Sequence, residues 1–245
     1  MDTARKNEQS SEIPAICRSC EARHGGICGV LSPDQLKKLN RYTKQYSYES
    51  GNELLSAGEE AHRYSNILRG VVKLSKLLAD GRQQIVGLQF APDFMGRLFR
   101  EESDVIADAA TDVTLCTFPR NVIEELVRES PELEHKLHEQ ALKELDEARE
   151  WMLTLGRKTA GEKVASFLYL IAANVDPELA DHDGPIRFEL PLKRSDIADF
   201  LGLTIETVSR QITKLRKAGV IQIENNRTVI VPDLERLEAA CETDR

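Results

Sequence analysis

The stretch Arg194–Lys217, RSDIADFLGLTIETVSRQITKLRK, decides the fold of the C-terminal part of this chain. Three small or branched residues stand in it at fixed offsets. Ala198 lies inside a first helix, where a small side chain lets a second helix cross closely. Gly202 stands at the turn, where a positive φ costs glycine little, and Val208 plugs the crossing from the second helix. Thr204 is placed to cap that second helix, its hydroxyl accepting from the exposed N–H groups of the first turn. Val208, Ile212 and Leu215 share one face at spacings of four and three and suit a core. Glu206, Ser209 and Arg210 share another. The pattern predicts a helix-turn-helix, and in that motif the N-terminal end of the second helix enters the major groove of DNA. There an arginine can hold O6 and N7 of guanine bidentately, and a glutamate can accept from N4 of cytosine. Taken alone, the triplet also fits an ordinary helical hairpin with a polar outer face.

The flanking sequence extends the first reading. Downstream, VIQIENNRTVIV alternates around Asn225 and Asn226, residues that tolerate the positive φ of a tight hairpin, and predicts the two strands of a wing. Upstream, RFELPL predicts a further short strand. Residues 187–231 carry eight Lys or Arg against five acids, a local charge of +3 in a chain whose net charge is −8. A basic module in an acidic protein suits site-specific binding to double-stranded DNA better than indiscriminate coating of nucleic acid. Lys214, Arg216, Lys217 and Arg227 are the candidate phosphate contacts, a merely solvated basic face being the plainer alternative.

At 245 residues and 41% apolar composition the chain can build two cores. No apolar run approaches the roughly 18 residues of a membrane span, and MDTARKNEQSSEIP is too polar for a secretory signal, so a cytoplasmic protein is expected. Structural disulfides are uncommon in that compartment. Cys17, Cys20 and Cys28 nevertheless crowd together as C-x2-C-x7-C, with Gly25, Gly26 and Gly29 nearby to let a loop wrap around something. Three thiolates leave a fourth position open, for which Cys116, Cys241 and His24 are candidates. Cys116 falls in the alternating run DVTLCTF, which predicts a strand. Cys241 lies close to the C-terminus and reads as a spare thiol. Four thiolates can hold zinc or an iron–sulfur cluster. Three local ligands with a remote fourth tilt the balance toward a cluster. A redox-active C-x-x-C stays open for Cys17 and Cys20, as does simple burial for Cys116.

Residues 47–118 are punctuated by Gly51, Gly58, Gly70, Gly81, Gly87 and Gly96, and their short alternating runs predict an antiparallel roll. Asp80-Gly81 marks a hairpin turn, and in IVGLQF the alternation of Val86, Leu88 and Phe90 predicts one buried face. Metal-dependent cupin enzymes need clustered histidines, and residues 40–125 contain only His62. A thiol oxidoreductase lacks the expected βαβ pattern around its cysteines. After Pro131 the chain runs without proline or glycine to Gly156, and His138, Ala141, Leu145, Ala148, Met152 and Leu155 recur at spacings of three and four, tracing a coiled-coil seam that fits a homodimer. Packing of this helix on its own domain is the alternative.

Together these features resemble the Crp/Fnr superfamily of bacterial transcription regulators, specifically its Fnr branch. The resemblance rests on the cysteine-rich start, the glycines Gly51, Gly58 and Gly70 of the roll, the long helix, and ETVSR at 206–210, which matches the Fnr-type pattern E-x-x-S-R. It implies an α+β fold: an N-terminal antiparallel β-roll like a cyclic-nucleotide-binding jelly roll, a long dimerisation helix and a C-terminal winged helix-turn-helix. The expected segments are 1–30 for the cysteines, 31–128 for the roll, 129–160 for the helix and 161–245 for the reader. It further implies that Cys17, Cys20, Cys28 and Cys116 hold an oxygen-labile [4Fe–4S] cluster. Glu206, Ser209 and Arg210 would read palindromic TTGAT half-sites, and surface loops, among them the Asp80-Gly81 turn, would touch RNA polymerase. A regulator of this kind is not an enzyme. Two departures stand out. The loop EARHGGI puts seven residues between the second and third cysteines where the better-known spacing is five, and DFMGRLFREESDVIAD carries Arg97 where the Crp branch has a glutamate and lacks that branch's Arg-Ser pair, which excludes cyclic AMP as the expected ligand. A same-fold regulator using zinc, thiol oxidation, haem or a small ligand would keep the reader intact.

Overall fold

The computed structural model describes residues 13–175 and 184–242; the opening stretch 1–12 read above lies outside them. The chain is divided into two compact units. One comprises the residues up to Lys76 together with Leu88–Leu145, and the other comprises Leu77–Gly87 together with the residues from Asp146 onward.

The first unit opens with two short helices, α1 (Ala15–Arg18) and α2 (Ala22–Gly25), a 3-10 turn at Ile27–Val30 and helix α3 (Pro33–Asn40). Helix α3 starts on a reciprocal cap: Ser32 accepts from the Gln35 N–H and Gln35 accepts from the Ser32 N–H, with Pro33 at the first helical position. Strands β1 (Lys44–Tyr48), β2 (Glu53–Leu55), β3 (Arg63–Arg69), β4 (Val71–Leu77), β5 (Gln83–Phe90), β6 (Phe94–Met95), β7 (Ile106–Ala109) and β8 (Val113–Pro119) follow. They form two four-stranded sheets in the orders β1-β8-β3-β6 and β2-β7-β4-β5. This is the antiparallel roll that the glycine-punctuated alternation predicts. Helix α4 (Arg120–Glu129) comes next, then the long helix α5 (Pro131–Arg157), whose residues fall in the first unit to Leu145 and in the second from Asp146.

The period of two residues along β8 sorts its side chains between two cores. Val113 and Leu115 join Ile67, Val72, Ala107 and Ala109 inside the roll. Cys116 and Phe118 turn the other way, into a layer built with Tyr64, Phe94, Leu126, Leu133 and Leu137 and closed by Ile27 and Leu31 of the cysteine segment. Ile27 thus ties that segment to the core of the first unit.

Strand β5 departs from the expected alternation. Ile85, Leu88, Gln89 and Phe90 are buried whereas Val86 is exposed, so the inward phase shifts at Gly87, where the division between the two units also falls.

The second unit continues from the end of α5 through α6 (Ala160–Val175), β9 (Ile186–Glu189), α7 (Arg194–Leu201), α8 (Ile205–Lys217), β10 (Gln222–Glu224), β11 (Thr228–Val231) and α9 (Leu234–Ala239). Strands β10, β11 and β9 make a three-stranded sheet in that order. The β10–β11 turn has φ of 50° at Asn225 and 58° at Asn226, as the hairpin reading requires. Trp151 and Phe167 pack on Phe200 with ring centroids 4.5 and 6.0 Å away. Cys241, read as a spare thiol, is buried, its thiol donating to the Leu237 carbonyl at 3.3 Å. Helix α9 carries it onto the core, a tertiary contact its place in the sequence does not reveal.

Gly70 and Gly58 both have positive φ, at 92° and 78°, but differ in surroundings: a Cβ on Gly70 would land on the Asp112 carbonyl oxygen, whereas one on Gly58 meets open space. Gly70→Ala is expected to cost well over about 2 kcal/mol and Gly58→Ala only about 1 kcal/mol, a difference that urea denaturation of the two variants measures.

Candidate functional site

Two sets of side chains stand out, one in each unit. In the first, Cys17 lies in α1, Cys20 in the link to α2, Cys28 in the 3-10 turn and Cys116 on β8. All four are free and partly buried. Cys28 and Cys116 pack against one core layer, and Cys17 and Cys20 lie within electrostatic reach of both. Burial first, then the neighbouring Cys116, Cys17 and Cys20, together hold the Cys28 thiol up at about 12 against a lowering hydrogen bond from Asn66. Burial, and after it Cys20 and Cys17, likewise raise the Cys116 thiol to about 12. Cys17 is raised by burial and by Cys20, while Arg23 draws it down. Among the described residues no three His, Cys, Asp or Glu side chains close tightly enough to hold a single metal ion. Four thiolates on one zinc would stand about 3.8 Å apart, whereas an iron–sulfur cube anchors each cysteine on a different iron and so spreads them wider. Four thiols that give up their protons to a metal could hold such a cluster.

The segment's glycines are explained by close approach rather than by positive φ. A Cβ on Gly25 would meet the Pro92 ring at 2.8 Å, one on Gly26 the Ala22 carbonyl oxygen at 2.8 Å, and one on Gly29 the Arg23 carbonyl oxygen at 2.9 Å. Asn66, only 2% exposed, donates from Nδ2 to Cys28 Sγ at 3.4 Å. Sequence reading missed this residue, because its relation to Cys28 and Cys116 exists only once the sheet has formed.

In the second unit the helix-turn-helix is assembled as its local signals predict. Gly202 ends α7 at φ 62°, Thr204 caps α8 by accepting from the Thr207 N–H at 3.2 Å, and Ala198 and Val208 are buried at the crossing. Glu206, Ser209 and Arg210 are all exposed on the first turns of α8. Hydrogen bonds from its own N–H and from Thr204 hold the Glu206 carboxyl below the usual carboxylate range, so it is ionised and an acceptor. Thr207 was missed as a supporting residue. Its hydroxyl lies 3.1 Å from that of Thr204 and accepts from Arg210 Nη2 at 3.5 Å, tying the arginine to the cap; the i, i+3 spacing is the sequence signal for it. Lys214, Arg216 and Lys217 are exposed in the last turn of α8, about 12 Å or more along the axis from Glu206. Arg227 stands on the wing, 3.8 Å from Glu189.

Helix α5 turns Leu133 and Leu137 into the first unit and Thr154 into the second. His138, Ala141, Leu145, Ala148, Met152 and Leu155 are all exposed, and Leu142 and Leu153, absent from the sequence-derived seam, are exposed beside them at 61% and 50%.

Comparison with known proteins agrees with both units. Residues 162–240 match the model of the Crp-like helix-turn-helix domain and residues 45–130 that of the cyclic nucleotide-binding domain. A probable transcriptional activator of Rhizobium leguminosarum bv. viciae is 58% identical over 238 residues, covering 97% of this chain and 98% of that protein. The transcriptional activator protein FnrL of Cereibacter sphaeroides is 41% identical over 239 residues, covering 95% and 96%. The solved structure of FixK2 from Bradyrhizobium japonicum superposes with a TM-score of 0.73 at 30% identity, over 83% of this chain and 99% of that one. With a roll, a long helix and a winged reader in this order, and with such identity along almost its whole length, the chain belongs to the Fnr branch of the Crp/Fnr family of transcription regulators.

Proposed function

We propose that the protein is an oxygen-responsive transcriptional activator in which Cys17, Cys20, Cys28 and Cys116 hold a [4Fe–4S] cluster and α8 reads DNA. The observation that carries this reading is the side to which β8 turns Cys116: the same layer on which Cys28 is packed. When bound, the cluster supplies an oxygen-labile group whose presence or loss is the signal. The chain's own residues transmit it. Gly25 and Gly26 lie against Pro92, and two residues on, the Phe94 carbonyl accepts from Gln140 of α5 at 3.3 Å and from Gln89 at 3.4 Å. Order in the cysteine segment thus reaches the long helix through one short turn. Two copies pair along the exposed seam of α5, and a state that orders the segment favours pairing and DNA binding together by linkage.

In each half-site, of TTGAT type, Arg210 and Glu206 read base edges, Ser209 stands between them, and Lys214, Arg216, Lys217 and Arg227 hold phosphates. The Asp80-Gly81 turn is the candidate contact for RNA polymerase. Cyclic AMP has no part in this reading, since Arg97 stands where the Crp branch has a glutamate and that branch's Arg-Ser pair is lacking.

Protein purified without air is expected to absorb broadly near 400 nm, to contain iron and sulfide, and to lose colour and operator affinity together when oxygen is admitted. A colourless chain after anaerobic reconstitution would sink the cluster and leave the reader standing. Arg210→Ala should weaken operator binding by about 1–3 kcal/mol and leave random DNA nearly unaffected; equal losses on both, by fluorescence anisotropy, would make Arg210 a phosphate contact. Because Leu145 and Met152 are exposed, replacing both by Glu should leave the fold intact and shift the loaded protein to monomer in sedimentation velocity.

A further inference from the structure

The surroundings of the cysteines include polar atoms that the four-cysteine reading does not use. Asn66 sits on β3 directly opposite Cys116 on β8, and Asn66 and Tyr64 share the face that β8 gives to Cys116 and Phe118. Its Nδ2 reaches Cys28 Sγ, but its Oδ1 is buried and has no partner. Arg23, whose charge acts on Cys17, likewise has a buried Nε without a partner. A carboxamide almost completely removed from water normally satisfies both ends, and a wholly apolar residue of the same size would cost less here if packing were the only requirement. Asn66 therefore costs stability in the cluster-free chain, and its one bond is spent on a sulfur.

We infer that Asn66 is a positioning residue of the cysteine site, donating through Nδ2 to the Cys28 thiolate while the strand pairing fixes its distance from Cys116. This rests on the four-cysteine reading above. A thiolate bound to iron is a better acceptor than a neutral thiol, so the bond strengthens when the site is loaded. A donor on a ligating sulfur withdraws electron density from the metal and makes the cluster harder to oxidise, one of the levers by which a protein tunes such a centre. Arg23 adds a positive charge on the Cys17 side, so the anionic centre meets a donor on one flank and a cation on the other.

The test uses the full chain, reconstituted anaerobically with iron and sulfide, as wild type, Asn66→Leu, Asn66→Ala and Arg23→Gln. Three quantities are read: iron and sulfide per chain, the iron–thiolate stretching frequencies in the resonance Raman spectrum, and the half-life of the chromophore in air. Loss of the donor in Asn66→Leu should shift a terminal iron–sulfur stretch and shorten the half-life about threefold to tenfold, the equivalent of one hydrogen bond. Arg23→Gln should shorten the half-life without shifting the stretch assigned to Cys28. If Asn66→Leu fails to fold or load, Asn66→Ala, which lacks the donor and introduces no new one, decides by the same two readings. Unchanged stretches and half-life in the loaded variant overturn the assignment of Asn66. A wild-type chain that takes up no iron and sulfide overturns the four-cysteine reading itself, and this inference with it.

Discussion

The antiparallel pairing of β3 with β8 sets Tyr64 against Phe118, Ser65 against Thr117, Asn66 against Cys116 and Ile67 against Leu115. Because side chains alternate along a strand, a slip of one residue in either strand would send its whole set to the opposite face. Were β8 to slip, Cys116 would point into the roll toward Ile67 and Val72 while Leu115 turned outward, and the N-terminal cysteines would face a strand with no thiol to offer. The register is held by apolar burial on both sides at once. Val113 and Leu115 fill the roll, Phe118 and Tyr64 fill the outer layer, and each is at most 2% exposed. The remote fourth cysteine is placed by the packing of its neighbours, residues with no chemistry of their own.

The cysteine segment is far less firmly held than the strand it covers. Between Ile13 and Val30 only Gly26 and Ile27 are buried. A fully buried isoleucine contributes about 1.5–3 kcal/mol, while ordering each backbone residue costs about 1–2 kcal/mol. Apolar burial alone anchors the segment thinly, and its tight glycine contacts with Pro92 hold only while its shape is kept. A group bonded to thiols spread from Cys17 to Cys116 would pin that shape at several points. Control of the segment by what it binds follows from this imbalance between a rigid strand and a weakly anchored cover.

The reader was legible from the sequence because everything that defines it is local. The αL turn at Gly202, the cap at Thr204 and the twin asparagines of the wing act over four or five residues, and short-range chemistry specifies them. The 3.6-residue period then separates Val208 and Ile212 from Glu206, Ser209 and Arg210. The roll was legible as a kind of fold but not in phase: the buried side of β5 shifts at Gly87, so Val86 is outside and Ile85 inside. Asn66 and Cys241 were illegible for a related reason. What makes Asn66 part of the cysteine site is a partner 38 residues earlier in the chain and another across the sheet. Cys241 is buried because α9 docks, and a terminal position carries no sign of that.

Helix α5 combines local legibility with a tertiary remainder. Its spacing gives the seam, but the exposed face also includes Leu142 and Leu153, which lie off a strict seven-residue repeat. The excess of acids beside the seam is partly neutralised within the helix: Glu139 is reached by His135 at 3.2 Å and Lys136 at 3.4 Å, and Asp146 by Arg149 at 3.0 Å. Exposed pairs of this kind contribute about 0–1 kcal/mol, so the apolar side chains set the strength of any pairing along this face. Each leucine or methionine fully covered is worth about 1.5–3 kcal/mol, and the alanines at 141 and 148 add little. Association must first overcome about 4–15 kcal/mol of lost freedom. A face of this size leaves a small net balance, and on a small balance a coupling of about 1–3 kcal/mol from the cysteine segment is enough to decide which state prevails.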